Sequence, residues 1–197
     1  MVALVSCVGV QTVGTILMTC LALLVASSMD DKTAEGCASK AGQGNNLTEQ
    51  EKSKVLNIME EIHNATMKDV GQPSKKSVQD NLMELEKKLN ECPEIKNKEE
   101  AHKFTRDFGM CIMTNVMNRY LKACPEAAKA SDGKVTSEEL AKYGLIRLTA
   151  NKNVTEEELG KKIVQELGEE KGKVLMQVGE SINKCMTEKK PLSKKAK

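Results

Sequence analysis

The sequence predicts an all-α protein: a single disulfide-stapled bundle of five or six helices around a central apolar helix at about residues 98–123. Three observations support this fold class. Apolar residues recur at helical spacing along most of the chain, no run alternates with the period of two that is typical of a strand, and five cysteines are spread over residues 37–185. The chain is therefore expected to form helices that disulfides link to one another.

The N-terminal segment has the pattern of an export signal. Residues 1–29 contain no charged side chain, and the next two residues are Asp30 and Asp31. The apolar stretch 13–26 has the length of a signal core, whereas a membrane span needs about 20 apolar residues. We predict a cleaved signal peptide at 1–28 and a secreted, extracellular protein without stable membrane insertion. An uncleaved N-terminal anchor is the alternative, because only the α-amino group supplies a positive charge before the apolar stretch.

The composition excludes some classes of partner. The chain has 30 basic and 28 acidic residues, a net charge of +2, and this balance argues against nucleic-acid binding. It contains two Phe, two Tyr and no Trp, so stacking surfaces for bases or sugars are not expected.

The first half of the mature chain predicts a leader and two helices. Residues 29–46 are rich in Gly, Ala, Ser and Lys and are predicted to be a flexible leader. Thr48 and Glu51 have the spacing of a capping box, and the helix that they begin ends near Pro73. A second helix, from about Ser77 to the residue before Pro93, has one apolar stripe. The apolar positions of the two helices are Val55, Met59, Ile62 and Thr66, then Val78, Leu82, Leu85, Leu89 and Cys92.

The third helix is predicted to be the centre of the fold. It begins near Asn97 and ends near Pro125, and residues 108–117 are apolar on nearly all sides. A helix of this kind is typically buried by its neighbours all round.

Three further helices complete the predicted domain, residues 47–188. Capping boxes at Thr136 and Thr155 begin the fourth and fifth helices, and Gly168 separates the fifth from the sixth. The sixth has apolar residues at helical spacing up to Cys185. Residues 189–197 contain five lysines and are expected to be a disordered basic tail.

Five of the seven cysteines follow the predicted signal, which contains Cys7 and Cys20. An odd number permits at most two internal disulfides and leaves a free thiol or a disulfide-linked dimer. The absence of a C-x-x-C pair argues against zinc. The disulfide candidates are Cys37, Cys92, Cys111, Cys124 and Cys185.

Helix geometry restricts how these cysteines pair. Cys111 and Cys124 lie on one predicted helix about 20 Å apart along its axis, and a disulfide requires Cα atoms within about 7 Å. Each of the two must therefore pair with Cys37, Cys92 or Cys185 or remain free. We favour Cys92–Cys111, if the second and third helices form an antiparallel hairpin, and Cys124–Cys185, with Cys37 in the leader as the odd thiol.

Three N-x-[ST] sequons become usable if the chain is exported. The candidate glycosylation sites are Asn46, Asn64 and Asn153. Asn46 and Asn153 lie just before predicted helices, where exposure is expected, whereas Asn64 lies inside one.

Neither a metal site nor a cofactor site is predicted. Residues 132–139 resemble the second half of an EF-hand loop, but Ala128 and Ala130 stand where the first half needs oxygen ligands. A turn followed by a capping box explains the segment without calcium. His63 and His102 are isolated and more simply interpreted as helix-surface residues, and no catalytic motif was found.

The Met and Phe side chains of the third helix allow two interpretations. They either fill the core, the commoner case, or line a cavity for an apolar ligand. The ligand-cavity candidates are Phe104, Phe108, Met110, Met113 and Met117.

The leading functional expectation is a secreted, non-enzymatic binding or carrier protein for a small hydrophobic ligand. The alternative is a secreted effector, of the venom, salivary or haemolymph type, that acts through contacts with extracellular proteins.

Overall fold

The computed structural model of the chain describes residues 31–68, 78–149 and 154–188. The predicted signal peptide, the predicted basic tail and the sequon residue Asn153 lie outside these ranges. Every regular element within them is a helix, which confirms the all-α class.

The described residues form eight helices, which we number in chain order. They are α1 (Asp31–Gly42), α2 (Glu49–Lys68), α3 (Val78–Glu91), α4 (Lys98–Ala123), α5 (Pro125–Ser131), α6 (Ser137–Thr149), α7 (Glu156–Leu167) and α8 (Glu169–Glu188).

The chain forms two compact units. The division falls between Met113 and Thr114, within α4. The first unit contains α1 to α3 and the beginning of α4, and the second contains the end of α4 and all later helices.

Capping boxes begin three of the helices, as predicted. At the start of α2, the backbone N–H of Glu51 donates to Thr48 Oγ1 (3.2 Å), and the N–H of Thr48 donates to the Glu51 carboxylate (2.9 Å). This exchange gives partners to backbone N–H groups that have none within the helix. The three pairs are Thr48–Glu51, Thr136–Glu139 and Thr155–Glu158.

The bounds of α4 agree with the predicted residues 98–123. Asn97 caps its first turn, because the N–H of Glu100 donates to Asn97 Oδ1 (3.2 Å). Pro125 follows closely, at the start of α5, where its missing N–H and fixed φ are tolerated.

The helix count exceeds the predicted five or six because α1 and α5 were not expected. The leader, predicted to be flexible, is helical from Asp31 to Gly42, with Cys37 and Ala41 buried on one face. A short helix of this composition is marginal alone, and tertiary contacts stabilise it. The disulfide at Cys37 is such a contact, and the local sequence does not reveal it.

The core of the first unit contains the apolar stripes predicted for α2 and α3, which pack against each other. The side chains of Thr66, Val78 and Leu82 lie outside the description. The buried members of the two stripes are Val55, Met59, Ile62, Leu85, Leu89 and Cys92. Above this core, Lys88 Nζ donates to the Glu61 carboxylate across the two helices (2.8 Å).

In the second unit, α8 packs against α5, α6 and α7. Leu175 and Val178 of α8 are fully buried, as are Ile163 of α7 and Ala141 of α6. The closest approach is at Gly179, where a Cβ atom would lie 2.5 Å from the Tyr143 ring. A glycine at this position therefore lets the aromatic ring lie directly against the α8 backbone.

One predicted disulfide is confirmed and the other is wrong. Cys124 and Cys185 are bonded, with Cα atoms 6.0 Å apart. Cys111, however, is bonded to Cys37 (Cα–Cα 5.5 Å), and Cys92 is the free cysteine among the described residues. The error follows from treating the leader as loose, because helix α1 holds Cys37 against the middle of α4.

Candidate functional site

A groove lies between α1 and α2 in the first unit, with a cavity volume of about 490 Å³. The fully buried Phe104 lies beneath the groove, and the half-buried Leu56 of α2 contributes apolar surface. Volumes of about 300–1,000 Å³ are typical of small-molecule sites. We call this cavity the α1–α2 groove.

The walls of the α1–α2 groove are small or hydrogen-bonding side chains. The groove therefore offers both apolar and polar groups, which suits a ligand that carries both. The wall residues are Ala38, Ser39 and Gly42 of α1, Ser53 and Asn57 of α2, and Gln43 between the helices.

The rim of the groove carries one ion pair, Lys52–Glu49, with Nζ 2.7 Å from the carboxylate. The Lys52 side chain is 19% exposed, whereas the Glu49 side chain is 89% exposed. An exposed pair of this kind contributes little free energy, so an anionic ligand can replace Glu49 at low cost. A Cβ atom on Gly42 would lie 3.2 Å from Lys52 Nζ, so the glycine leaves room for the ammonium group.

The α1 wall is fixed by the Cys37–Cys111 disulfide. Cys37 is buried and directly precedes the wall residue Ala38. A wall that is already held in place loses little conformational entropy when a ligand binds.

The loop between α1 and α2 is anchored to α4 by Asn45. Its Nδ2 donates to the backbone carbonyl of Glu100 (3.0 Å), and its Oδ1 accepts the N–H of Leu47 (2.9 Å). Leu47 is buried, and the N–H of Asn46 donates to the Glu100 carboxylate (3.1 Å). The end of the groove nearest this loop is therefore held to the start of α4.

Glu51 positions the first turn of α2, from which Glu49 and Lys52 project. Its carboxylate accepts hydrogen bonds from the Thr48 backbone and hydroxyl, and from the N–H of Lys96 (2.9 Å). These bonds, the Thr48 backbone bond foremost, lower the pKa of Glu51 to about 2. The buried carboxylate thus stays ionised and joins α2 to the segment before α4.

Of the five ligand-cavity candidates, Phe104 borders the groove, and its own side chain is fully buried. Phe108, Met113 and Met117 are buried, and Met110 is half-buried. Sequence reasoning missed the groove residues of α1, since it assigned them to a loose leader. The i, i+4 pair of Cys37 and Ala41 was the only local sign of a buried helix face there.

The free thiol lies in a polar pocket at the end of α3. Cys92 Sγ donates to the Glu94 carboxylate (3.1 Å), which also pairs with Lys54 Nζ (3.1 Å). These interactions, the thiol foremost, lower the pKa of Glu94 to about 2. Lys98 Nζ donates to the carbonyls of Leu89 and Cys92 and thereby caps α3.

A second concavity, of about 460 Å³, lies beside the start of α8 in the second unit. Its lining is largely charged, and Lys173 and Glu169 are paired with each other (2.7 Å). Val174 is the apolar side chain of this lining, and the stems of the charged residues supply the rest of its apolar surface.

The EF-hand-like segment is the predicted turn followed by a capping box. Asp132 adopts a left-handed conformation (φ 39°) at the end of α5, and Glu139 caps α6 and pairs with Lys171. Within the described ranges, no three His, Cys, Asp or Glu side chains cluster in a way that could hold a metal ion.

Both histidines are half-buried in the first unit, rather than simply exposed. Burial lowers the pKa of His63 and of His102. A ring nitrogen of His102, Nε2, lies 3.0 Å from Asn90 Oδ1. Neither histidine borders the α1–α2 groove.

Two of the sequon asparagines lie in described segments. Asn46 is exposed in the loop between α1 and α2, and Asn64 is exposed on α2. The exposure expected for Asn46 is confirmed, as is the helical position of Asn64.

Comparison with known proteins found no matching family model, curated protein or solved structure. Among the described helices, none combines the length and the apolar character needed to cross a bilayer.

Proposed function

We propose that this chain is an extracellular, non-enzymatic binding protein that holds a small amphipathic ligand in the α1–α2 groove. The observation that carries the proposal is the groove itself: apolar surface at Leu56 above the buried Phe104, hydrogen-bonding walls, and a rim where Lys52 pairs with Glu49. The sequence led us to expect a small hydrophobic ligand. The groove favours an amphipathic ligand, which has an apolar body and a polar or anionic end.

Export is part of the proposal. The charge-free residues 1–29 favour it, and so do the two disulfides, Cys37–Cys111 and Cys124–Cys185, because such bonds persist in oxidising compartments. The arrangement of the helices as a bundle around α4 also stays a prediction from the sequence.

The proposed binding mode assigns a role to each part of the groove. The apolar body of the ligand lies on Leu56, above the buried Phe104, and removing apolar surface from water contributes about 25 cal/mol per Å². The polar end of the ligand lies near Lys52, where it replaces the exposed Glu49 carboxylate as the partner of the ammonium group. Ser53 and Asn57 supply hydrogen bonds along one wall.

The proposal is tested with 8-anilinonaphthalene-1-sulfonate, a fluorescent probe with an apolar ring system and one anionic group. The variant Ser53→Phe puts a large side chain on the groove wall. Gln50→Phe puts the same side chain on an exposed position of α2 that does not line the groove. We expect the wild-type chain and Gln50→Phe to bind the probe equally, and Ser53→Phe to bind it at least tenfold more weakly. Equal binding by all three proteins, or no binding by any, would contradict the proposal.

The second candidate function is an effector that acts through protein contacts. Met83 of α3 is 67% exposed, which favours a contact surface. One exposed methionine is ordinary for a protein surface, however, whereas the groove is a formed cavity. We therefore place ligand binding first.

A further inference from the structure

We propose that Asn46 carries an N-linked glycan in the exported protein. This inference shares with the proposed function only the premise that the chain is exported. It concerns a modification site at the loop between α1 and α2, and it does not depend on what the groove binds.

The loop turns Asn46 outward because both of its neighbours are held inward. The Asn45 side chain is bonded to the Glu100 carbonyl and to the N–H of Leu47, and Leu47 is 5% exposed. Asn46 itself is exposed and uses only its backbone N–H, which donates to the Glu100 carboxylate. Its side-chain amide makes no hydrogen bond within the described part of the chain.

A glycan on Asn46 is compatible with every contact that holds the loop. The glycan attaches at Nδ2, and the loop bonds involve the backbone of Asn46 and the side chains of its neighbours. The sequon hydroxyl of Thr48 later serves the fold by accepting the N–H of Glu51 and donating to its carboxylate. Modification before folding therefore leaves the α2 capping box intact.

The chemistry is a group transfer from a lipid-linked oligosaccharide diphosphate. The bond between sugar C1 and the diphosphate oxygen breaks, and a bond forms between C1 and Asn46 Nδ2. The amide loses one proton, and the lipid diphosphate leaves. No oxidant or reductant takes part.

The test is translation of the full chain in the presence of endoplasmic-reticulum microsomes, with the variants Asn46→Gln and Asn64→Gln. Treatment with peptide N-glycosidase, followed by peptide mass spectrometry, identifies the modified asparagine by its conversion to aspartate. We expect the wild-type chain to carry a glycan on Asn46, Asn46→Gln to lose one glycan's mass, and Asn64→Gln to keep the Asn46 glycan.

An unmodified Asn46 in chains that have entered the microsomes overturns the proposal. A chain that never enters the lumen overturns it as well, together with the premise of export. Probe binding by the unglycosylated Asn46→Gln protein tests the groove separately, so failure of either proposal can be told from failure of the other.

Discussion

At the residue scale, buried Glu51 joins the beginning of α2 to the segment before α4. One carboxylate accepts bonds from the Thr48 backbone, the Thr48 hydroxyl and the Lys96 backbone. The capping box could be predicted from the sequence, because its residues lie three positions apart. The hydrogen bond from Lys96 could not be predicted, because it joins residues 45 positions apart.

The lowered pKa of Glu51 makes stability depend on pH. An unfolded glutamate has a pKa of about 4.3, and the folded value is about 2. The contribution of Glu51 is therefore fully present above pH 4.3 and is lost as the pH falls towards 2. We predict that Glu51→Gln flattens the fall in unfolding free energy between those two pH values, as measured by urea denaturation.

The control for this prediction is Glu49→Gln, two residues away. The Glu49 side chain is exposed and makes only the surface pair with Lys52. This variant should keep the wild-type pH profile, and a wild-type profile in Glu51→Gln would refute the assigned role of Glu51.

Cys92 is also a residue-scale finding, since the sequence predicted Cys37 as the odd thiol. Cys92 is buried and bonded to Glu94, so a dimer linked through it requires local opening. We predict that a maleimide reagent labels Cys92 slowly in the native protein and completely in denaturant without reductant. Peptide mapping identifies the labelled residue. Rapid native labelling, or a label on Cys37, would contradict the structure.

At the scale of helices, prediction succeeded where local signals agreed. Helix α4 has a cap at Asn97, a long apolar run and a proline just beyond its end, and its bounds were predicted correctly. Helix α1 has few apolar residues and depends on a disulfide to Cys111, which is 74 positions away. Its composition alone favours a loop, so the α1 wall of the groove could not be predicted.

The contact between α8 and α6 depends on Gly179. A methyl group at this position would clash with the Tyr143 ring at 2.5 Å, and Tyr143 is buried. We predict that Gly179→Ala destabilises the protein by about 1–3 kcal/mol, the usual cost of overpacking. In the control variant Gly160→Ala, the new methyl lies at an ordinary 3.8 Å from Met176 Sδ. Helix propensity should stabilise this control by up to about 1 kcal/mol, and equal effects in thermal denaturation would contradict the packing argument.

The Cys37–Cys111 disulfide holds α1 as a wall of the groove. We predict that Cys37→Ala with Cys111→Ala lowers the unfolding free energy by about 2–4 kcal/mol and weakens probe binding. The matched pair Cys124→Ala with Cys185→Ala removes the bond of the second unit. It should lower stability to a similar extent and leave probe affinity unchanged. Equal loss of probe affinity in both double variants would show that α1 has no special part in the site.

At the scale of the whole molecule, each compact unit contains one disulfide within its own sequence. The contacts divide between Met113 and Thr114, inside the continuous apolar helix α4, and no residue pattern marks that position. The groove lies entirely in the first unit, so we assign ligand binding to that unit.

The central claim, that the α1–α2 groove is the binding site, is tested most directly by amide chemical-shift mapping. The isotope-labelled full chain is titrated with 8-anilinonaphthalene-1-sulfonate, and the ¹H–¹⁵N signals are followed. We expect saturable shifts of the amide signals of residues 38–43 and 49–57. These shifts should disappear in Ser53→Phe and persist in Gln50→Phe. Shifts centred on α3 around Met83, or on the concavity beside the start of α8, would contradict it.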